Sequence, residues 1–234
     1  MGGWILVTGG AKGLGRAICL ELAGRGHSIV IHYRTSQKEA ASTAQLCADY
    51  SVKVEVLQGD LETPASTRVF LEEYLARFPS TKGLVNNVGN YLIAPLTETS
   101  ESDWLSLFQT NVHAPFSLIK ALLPSLKKER GQIVNIGTSG LLTTLTHREA
   151  GAYALTKMTL WHLTRHLARE LAAEHVRVNM ISPGVLETSV DFPEIPMGRV
   201  ATLEETAKWV GLLFEEENNY VTGQNIEIAG GLGL

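Results

Sequence analysis

Short runs of β-branched residues and leucine alternate along the chain with longer stretches whose apolar residues recur at helical spacing. The short runs predict strands near 4–8, 28–33, 53–58, 83–86, 131–137, 176–181 and 225–228. The periodic stretches between them predict helices near 13–25, 37–48, 64–78, 101–127, 151–174 and 202–214. Pro64 falls just inside one helix start, and Asp103 lies early in another, where the helix dipole favours a carboxylate. Strands alternating with helices are the pattern of βαβ units feeding a parallel sheet, so the expected class is a doubly wound α/β fold. No Pro/Ser-rich linker, composition break or repeat divides the chain, so a single domain over 1–234 is expected.

Two predicted helices are apolar on more than one face. The first carries Trp104, Leu105, Phe108 and Phe116, the second Leu155, Met158, Trp161 and Leu163. Such helices need cover on most sides, from their own sheet and from another subunit, which predicts a homo-oligomer, dimer or tetramer.

Charge narrows the partners. With 20 Lys plus Arg against 24 Asp plus Glu the net charge is −4, and the longest basic cluster, Lys127, Lys128 and Arg130, is interrupted by Glu129. Counterion release on a polyanion needs clustered cations, so nucleic acid is not an expected partner. Cys19 and Cys47 lie in helical stretches without a CxxC pair, which argues against a disulfide framework or zinc ribbon. Met1-Gly2-Gly3-Trp4 leads straight into the first strand with no cationic leader, and no apolar run is long enough to span a membrane. A cytoplasmic location with no membrane contact is therefore expected.

The first strand ends in Thr8-Gly9-Gly10-Ala11-Lys12-Gly13-Leu14-Gly15, followed by an apolar helix. Small residues at a strand-to-helix turn let backbone approach a pyrophosphate, and the helix N-terminus aims free N–H groups at it. This predicts dinucleotide binding. The end of the second strand, His32-Tyr33-Arg34-Thr35-Ser36, has no acid for a ribose 2′-hydroxyl but has a cation and two hydroxyls, with Lys12 within reach. Cations and hydroxyls suit a 2′-phosphate, so NADP(H) is the expected cofactor. Tyr153 and Lys157 stand at i and i+4, on one helix face, just after the strand Gln132 to Ile136 and its loop with Thr138 and Ser139.

In these elements the chain resembles the short-chain dehydrogenase/reductase family over nearly its full length. The matching residues, in order, are Thr8-Gly9-x3-Gly13-x-Gly15, Asp60-Leu61, Asn86-Asn87-Val88-Gly89, Asn111, the hydroxyl after Ile136, Tyr153-x3-Lys157, Pro183-Gly184 and Val221-Thr222-Gly223-Gln224. The resemblance implies a Rossmann-type sheet of seven parallel strands in the order 3-2-1-4-5-6-7, with helices on both faces. It implies Asp60 and Leu61 beside adenine, Asn87, Val88 and Gly89 along the dinucleotide, and Pro183 and Gly184 near the nicotinamide. It also implies a catalytic tetrad: Tyr153 as general acid to a developing alkoxide, Lys157 to favour the phenolate and bind the nicotinamide ribose, a hydroxyl to hold the substrate oxygen, and Asn111 to hold a water that resupplies the proton. Tyr153 stands slightly further beyond Thr138 than is usual in the family, so Thr138 and Ser139 both remain candidates for that hydroxyl. The segment after Pro183-Gly184 is shorter than in many relatives, implying a reduced lid.

Asn90, Tyr91 and His147 are candidate substrate-lining residues. His162 and His166 have i, i+4 spacing but lack the glutamate of a zinc protease helix, so no metal site is expected. The leading expectation is an NADPH-dependent reductase of a small-molecule carbonyl, similar to the 3-oxoacyl-[acyl-carrier-protein] reductases. Glu129 and Glu174 stand where such relatives place basic residues, which weakens a carrier-protein partner. The alternatives are a pteridine-type reductase acting on a C=N bond, suggested by residues 32–36 but lacking the catalytic aspartate, and a non-catalytic NADP(H)-binding regulator.

Overall fold

A computed structural model of the chain describes residues 3–141, 149–189 and 193–233. Seven strands, β1 (Trp4–Val7), β2 (Ile29–Tyr33), β3 (Val54–Gln58), β4 (Thr81–Asn86), β5 (Gln132–Ile136), β6 (Arg177–Pro183) and β7 (Asn225–Ile228), form one parallel sheet in the order β3-β2-β1-β4-β5-β6-β7. The helices are α1 (Gly13–Gly24), α2 (Gln37–Ala48), α3 (Pro64–Arg77), α4 (Glu101–Phe108), α5 (Ala114–Glu129), α6 (Gly151–Leu171) and α7 (Leu203–Leu213).

The strands alternate their side chains between two cores. Ile5, Val7, Ile29, Ile31 and Val134 pack under α1, α2 and α7, whereas Leu6, Val30, Leu84, Ile133 and Val178 pack under α3, α5 and α6. Covered on both faces, β1 reads as an unbroken apolar run in the sequence, whereas the edge strands β3 and β7 carry the exposed Glu55 and Glu227. Cys19 and Cys47 are fully buried in the first core and act there as small apolar groups.

Helix starts follow local chemistry. Thr63 caps α3 in a reciprocal box with Ser66, with Pro64 at the first turn. Thr202 and Glu205 do the same for α7, and Ser100 caps α4 by accepting from the Asp103 N–H. The start of α1 is different: Lys12 provides no side-chain cap, and the first turn holds no carboxylate. Its N–H groups are left for another acceptor.

The single helix expected over 101–127 is interrupted. Gln109–His113 is a π-helical turn between α4 and α5, and α5 continues to Glu129. The apolar periodicity runs through the extra residue, so the pattern conceals it. The π turn buries Thr110, Asn111 and Val112 against the rest of the protein. The helix expected to reach 174 ends at Leu171 and tightens into a 3₁₀ turn over Ala172–Glu174. No described helix is long and apolar enough to cross a membrane.

Strand order reverses between β2-β1 and β4-β5, which opens a crevice at the carboxyl ends of β1 and β4. Thr8 closes the seam beneath it. Its hydroxyl donates to the Val85 carbonyl at 3.2 Å and accepts from the N–H groups of Asn87 at 2.9 Å and Val88 at 3.1 Å. Gly15 packs directly above. A Cβ there would run into the Gly9 carbonyl oxygen and stand 2.7 Å from the Asn87 amide nitrogen. Gly15→Ala is accordingly expected to displace the 9–15 turn, weaken dinucleotide binding at least tenfold and lower the melting temperature, measured by titration calorimetry and thermal unfolding.

Candidate active site

The crevice is an open cleft of about 220 Å³ lined at one end by Gly9, Lys12, Arg34, Thr35, Ser36, Asp60 and Leu61, and further along by Val88 and Asn90. Gly9 and Gly13 adopt left-handed backbone, with φ of +63° and +54°, which glycine enters at little cost. The Leu14 side chain packs into the core rather than the cleft. Asn87 anchors the turn by donating to the carbonyls of Thr8 at 2.9 Å and Gly9 at 3.3 Å.

His32, singled out only as part of the strand end, proves to fasten the turn. Its Nδ1 accepts from the Gly9 N–H at 3.0 Å, and its Nε2 lies 3.2 Å from the Gly59 carbonyl, which fixes the neutral Nε2–H tautomer. The ring is 2% exposed and meets Phe70 edge-on at 4.9 Å. Burial pushes its pKa down to about 4, so both bonds persist at neutral pH. A second residue carried no signal in the sequence: Arg34 is ion-paired to Glu62, which also lines the cleft. The cation expected to stand free for a phosphate therefore has a resident carboxylate. Lys12 is exposed and, among the described residues, makes no ion pair.

At the other end, α6 brings Tyr153 and Lys157 under the carboxyl edge of β4 and β5. Of the two candidate hydroxyls it is Thr138 that acts on the Tyr153 phenol, lowering its pKa against the effect of burial. Ser139 is held by its backbone N–H, which donates to the Pro183 carbonyl at 2.9 Å. Lys157 is 4% exposed, donates to the Ile136 carbonyl at 2.8 Å, and lies 5.7 Å from the centre of the Tyr153 ring. Burial governs both groups. It pushes Tyr153 up to about 12, with Thr138 opposing, and pushes Lys157 down to about 8.

Asn111 is held on three sides. Its side-chain oxygen accepts from the Asn90 N–H at 2.8 Å, while its amide donates to the Asn90 carbonyl at 3.0 Å and the Thr156 hydroxyl at 2.9 Å. With three bonds made inside the protein, its side chain is a clamp between the loop after β4, the π turn and α6. Asn90 turns its own amide toward Ser106 and Thr110. Tyr91 is exposed at the mouth and stacks edge-to-face on Tyr153, with ring centres 4.7 Å apart. The Ala94 N–H donates to the Glu149 carbonyl at 2.7 Å, tying this loop to the start of α6, and exposed Ile93 and Leu96 extend an apolar rim. His147 lies outside the described residues.

Gly184 is locked to β7 through the Ile228 carbonyl at 2.9 Å, next to Pro183 at the end of β6. A Cβ on Gly89 would stand 3.2 Å from the Asn111 oxygen and 3.3 Å from Lys157 Nζ. These bare backbones, the uncapped start of α1 and the cation at Lys12 are features that could hold an extended dinucleotide. Glu129 and Glu174 sit at the opposite end of the sheet, just before β5 and β6 begin. Glu174 is paired with Lys127 and Glu129 accepts from Ser80. His162 and His166 are on the exposed side of α6, and among the described residues no three His, Cys, Asp or Glu side chains gather as a metal would require.

Known proteins match this arrangement along its whole length. The family described as enoyl-(acyl carrier protein) reductase matches residues 9–233. The 3-oxoacyl-[acyl-carrier-protein] reductase FabG of Escherichia coli is 31% identical over 240 residues, covering 97% of this chain and 96% of that protein. Among solved structures, acetoin dehydrogenase from Enterobacter cloacae aligns with a TM-score of 0.91 at 30% identity, covering 99% of this chain and 96% of that one. A blue fluorescent protein from a metagenomic library, solved in complex with NADPH, aligns with a TM-score of 0.91 at 29% identity, covering 100% of this chain and 98% of that one. With relatives of this kind over a sheet of this order, and with Tyr153 and Lys157 set at its carboxyl edge, the chain belongs to the short-chain dehydrogenase/reductase family of oxidoreductases.

Proposed function

We propose that the chain is an NADPH-dependent reductase that converts the carbonyl of a 3-oxoacyl thioester or small ketone to an alcohol. One observation carries the reading: the buried Lys157 amine lies 5.7 Å from the centre of the Tyr153 ring, held by the Ile136 carbonyl at the carboxyl edge of the sheet, with Thr138 acting on the same phenol. A dinucleotide held along Gly9, Lys12 and Gly89 would supply the hydride for the carbonyl carbon. Thr138 and Tyr153 hold the carbonyl oxygen where negative charge grows, and the Tyr153 phenol hands it a proton. A phenol raised to about 12 keeps that proton at neutral pH, as a general acid must. Lys157, held by the Ile136 carbonyl, keeps positive charge beside the phenol and faces the side of Gly89 along which the nicotinamide ribose would lie.

The rim of Tyr91, Ile93 and Leu96 favours an apolar substituent on the carbonyl. The names of the relatives span both readings, an acyl-carrier thioester for FabG and a small hydroxyketone for acetoin dehydrogenase. A pteridine-type reaction is disfavoured because the residue acting on the Tyr153 phenol is Thr138 and not an aspartate. Exposed apolar residues on α4, α5 and α6, among them Leu105, Phe116, Leu155 and Met158, support the expected homo-oligomer.

Following NADPH absorbance with an oxoacyl thioester, a panel of small ketones and a quinonoid dihydropterin tests the assignment; oxidation with the pterin alone would overturn it. Tyr153→Phe is expected to cut turnover about 10²- to 10⁴-fold while leaving the NADPH dissociation constant within about threefold.

Lys157 links activity to stability. Its pKa falls from 10.5 in the unfolded chain to about 8 in the fold, so below pH 8 the native state carries a charge that burial penalises by about 3 kcal/mol. Between pH 8 and 10.5 the native state has lost this proton and the unfolded chain has not, so stability rises with pH across that window. Lys157→Met is expected to abolish turnover and to stabilise the fold at pH 7 by about 2 kcal/mol, an advantage that shrinks toward pH 10; denaturant unfolding at both pH values measures it. In the unmodified protein, kcat/KM for NADPH is expected to fall above about pH 8 as the ammonium is lost, read from a pH–rate profile.

A further inference from the structure

The adenosine end of the cleft is not simply cationic. It holds Lys12 and Arg34 on one side of the ledger and Asp60 and Glu62 on the other. Glu62 is placed there by the chain itself: its backbone N–H donates to Asp60 Oδ1 at 2.8 Å, bending the chain after β3 so that the carboxylate reaches Arg34. The Arg34 backbone is fixed in turn, because its carbonyl accepts from the Gln58 amide at 3.0 Å. The two side chains remain 50% and 45% exposed, so the pair is open to a ligand and weak enough to exchange.

We propose that Glu62 is a specificity-determining residue that acts as the resident counterion of Arg34 and is displaced by the 2′-phosphate of NADP(H). The inference rests on the reading of Arg34 as part of that phosphate's site. A dinucleotide bearing the phosphate must break the Arg34–Glu62 pair and leave a carboxylate beside a dianion, whereas one with a free 2′-hydroxyl can leave the pair intact and offer Glu62 a hydrogen-bond donor. Glu62 thus holds down an NADPH preference that Arg34 and Lys12 would otherwise make large, and keeps NADH within reach.

Dissociation constants of NADPH and NADH, and of adenosine 2′,5′-bisphosphate and AMP, measured by titration calorimetry, test this without any turnover. Glu62→Gln is expected to tighten NADPH and the bisphosphate about three- to tenfold and to leave NADH and AMP unchanged or weaker. Arg34→Ala is expected to weaken NADPH and the bisphosphate selectively, and in its background Glu62→Gln should lose most of its gain. If Arg34→Ala is selective but Glu62→Gln changes no constant by more than about twofold, the counterion role is overturned and the cofactor reading stands. A full Glu62→Gln gain without Arg34 also overturns it, because Glu62 would then act on the phosphate directly. If Arg34→Ala does not alter the NADPH-to-NADH ratio, the cofactor reading fails, and this inference with it.

Discussion

The hydroxyl of Thr8 joins the two halves of the sheet at the one place where they diverge. It spends its single proton on β4 at the Val85 carbonyl and receives the next two N–H groups after that strand. The glycine turn and the loop that carries Val88 to Tyr91 therefore leave from one fixed point. Asn87 adds a second link to the same turn, and His32 ties it to the end of β3. A phosphate-binding loop made largely of glycine would be costly to order on binding. Here most of that cost is met by neighbours before any ligand arrives.

The reactive end is built on the opposite principle. Tyr153 and Lys157 are displaced from their solution behaviour by burial, in directions that make each less charged. The fold tolerates this because Lys157 is given the Ile136 carbonyl and Tyr153 is given Thr138, so that neither is buried without a partner. What remains is a local penalty that the surrounding cores absorb, a common feature of sites tuned for proton transfer.

Much of this arrangement was legible in the sequence, because period-two and helical patterns report burial, and burial organises the sheet. Every strand and the sheet order agree with expectation. The parts that escaped share a physical cause: they depend on which polar group reaches which. The sequence could not tell that Asn111 would spend its side chain on Asn90 and Thr156, or that Thr138 rather than Ser139 would meet Tyr153. Glu62 looked like an ordinary surface residue, since nothing in its local pattern reports the turn after β3 that carries it to Arg34. The π turn was hidden because one inserted residue barely disturbs an apolar repeat.

That π turn sets local regularity against the architecture of the site. Removing one residue from Gln109–His113 would let α4 and α5 fuse into an unbroken α-helix with an uninterrupted hydrogen-bond ladder. It would also rotate everything on one side by about 100° relative to the other. Asn111 could not then face both Asn90 and Thr156 while Trp104 and Phe108 kept their present side of the helix. The helix thus behaves as a gear with one extra tooth: the irregularity lets two surfaces with incompatible phases, one meshing with the sheet and one with the protein exterior, run on a single shaft.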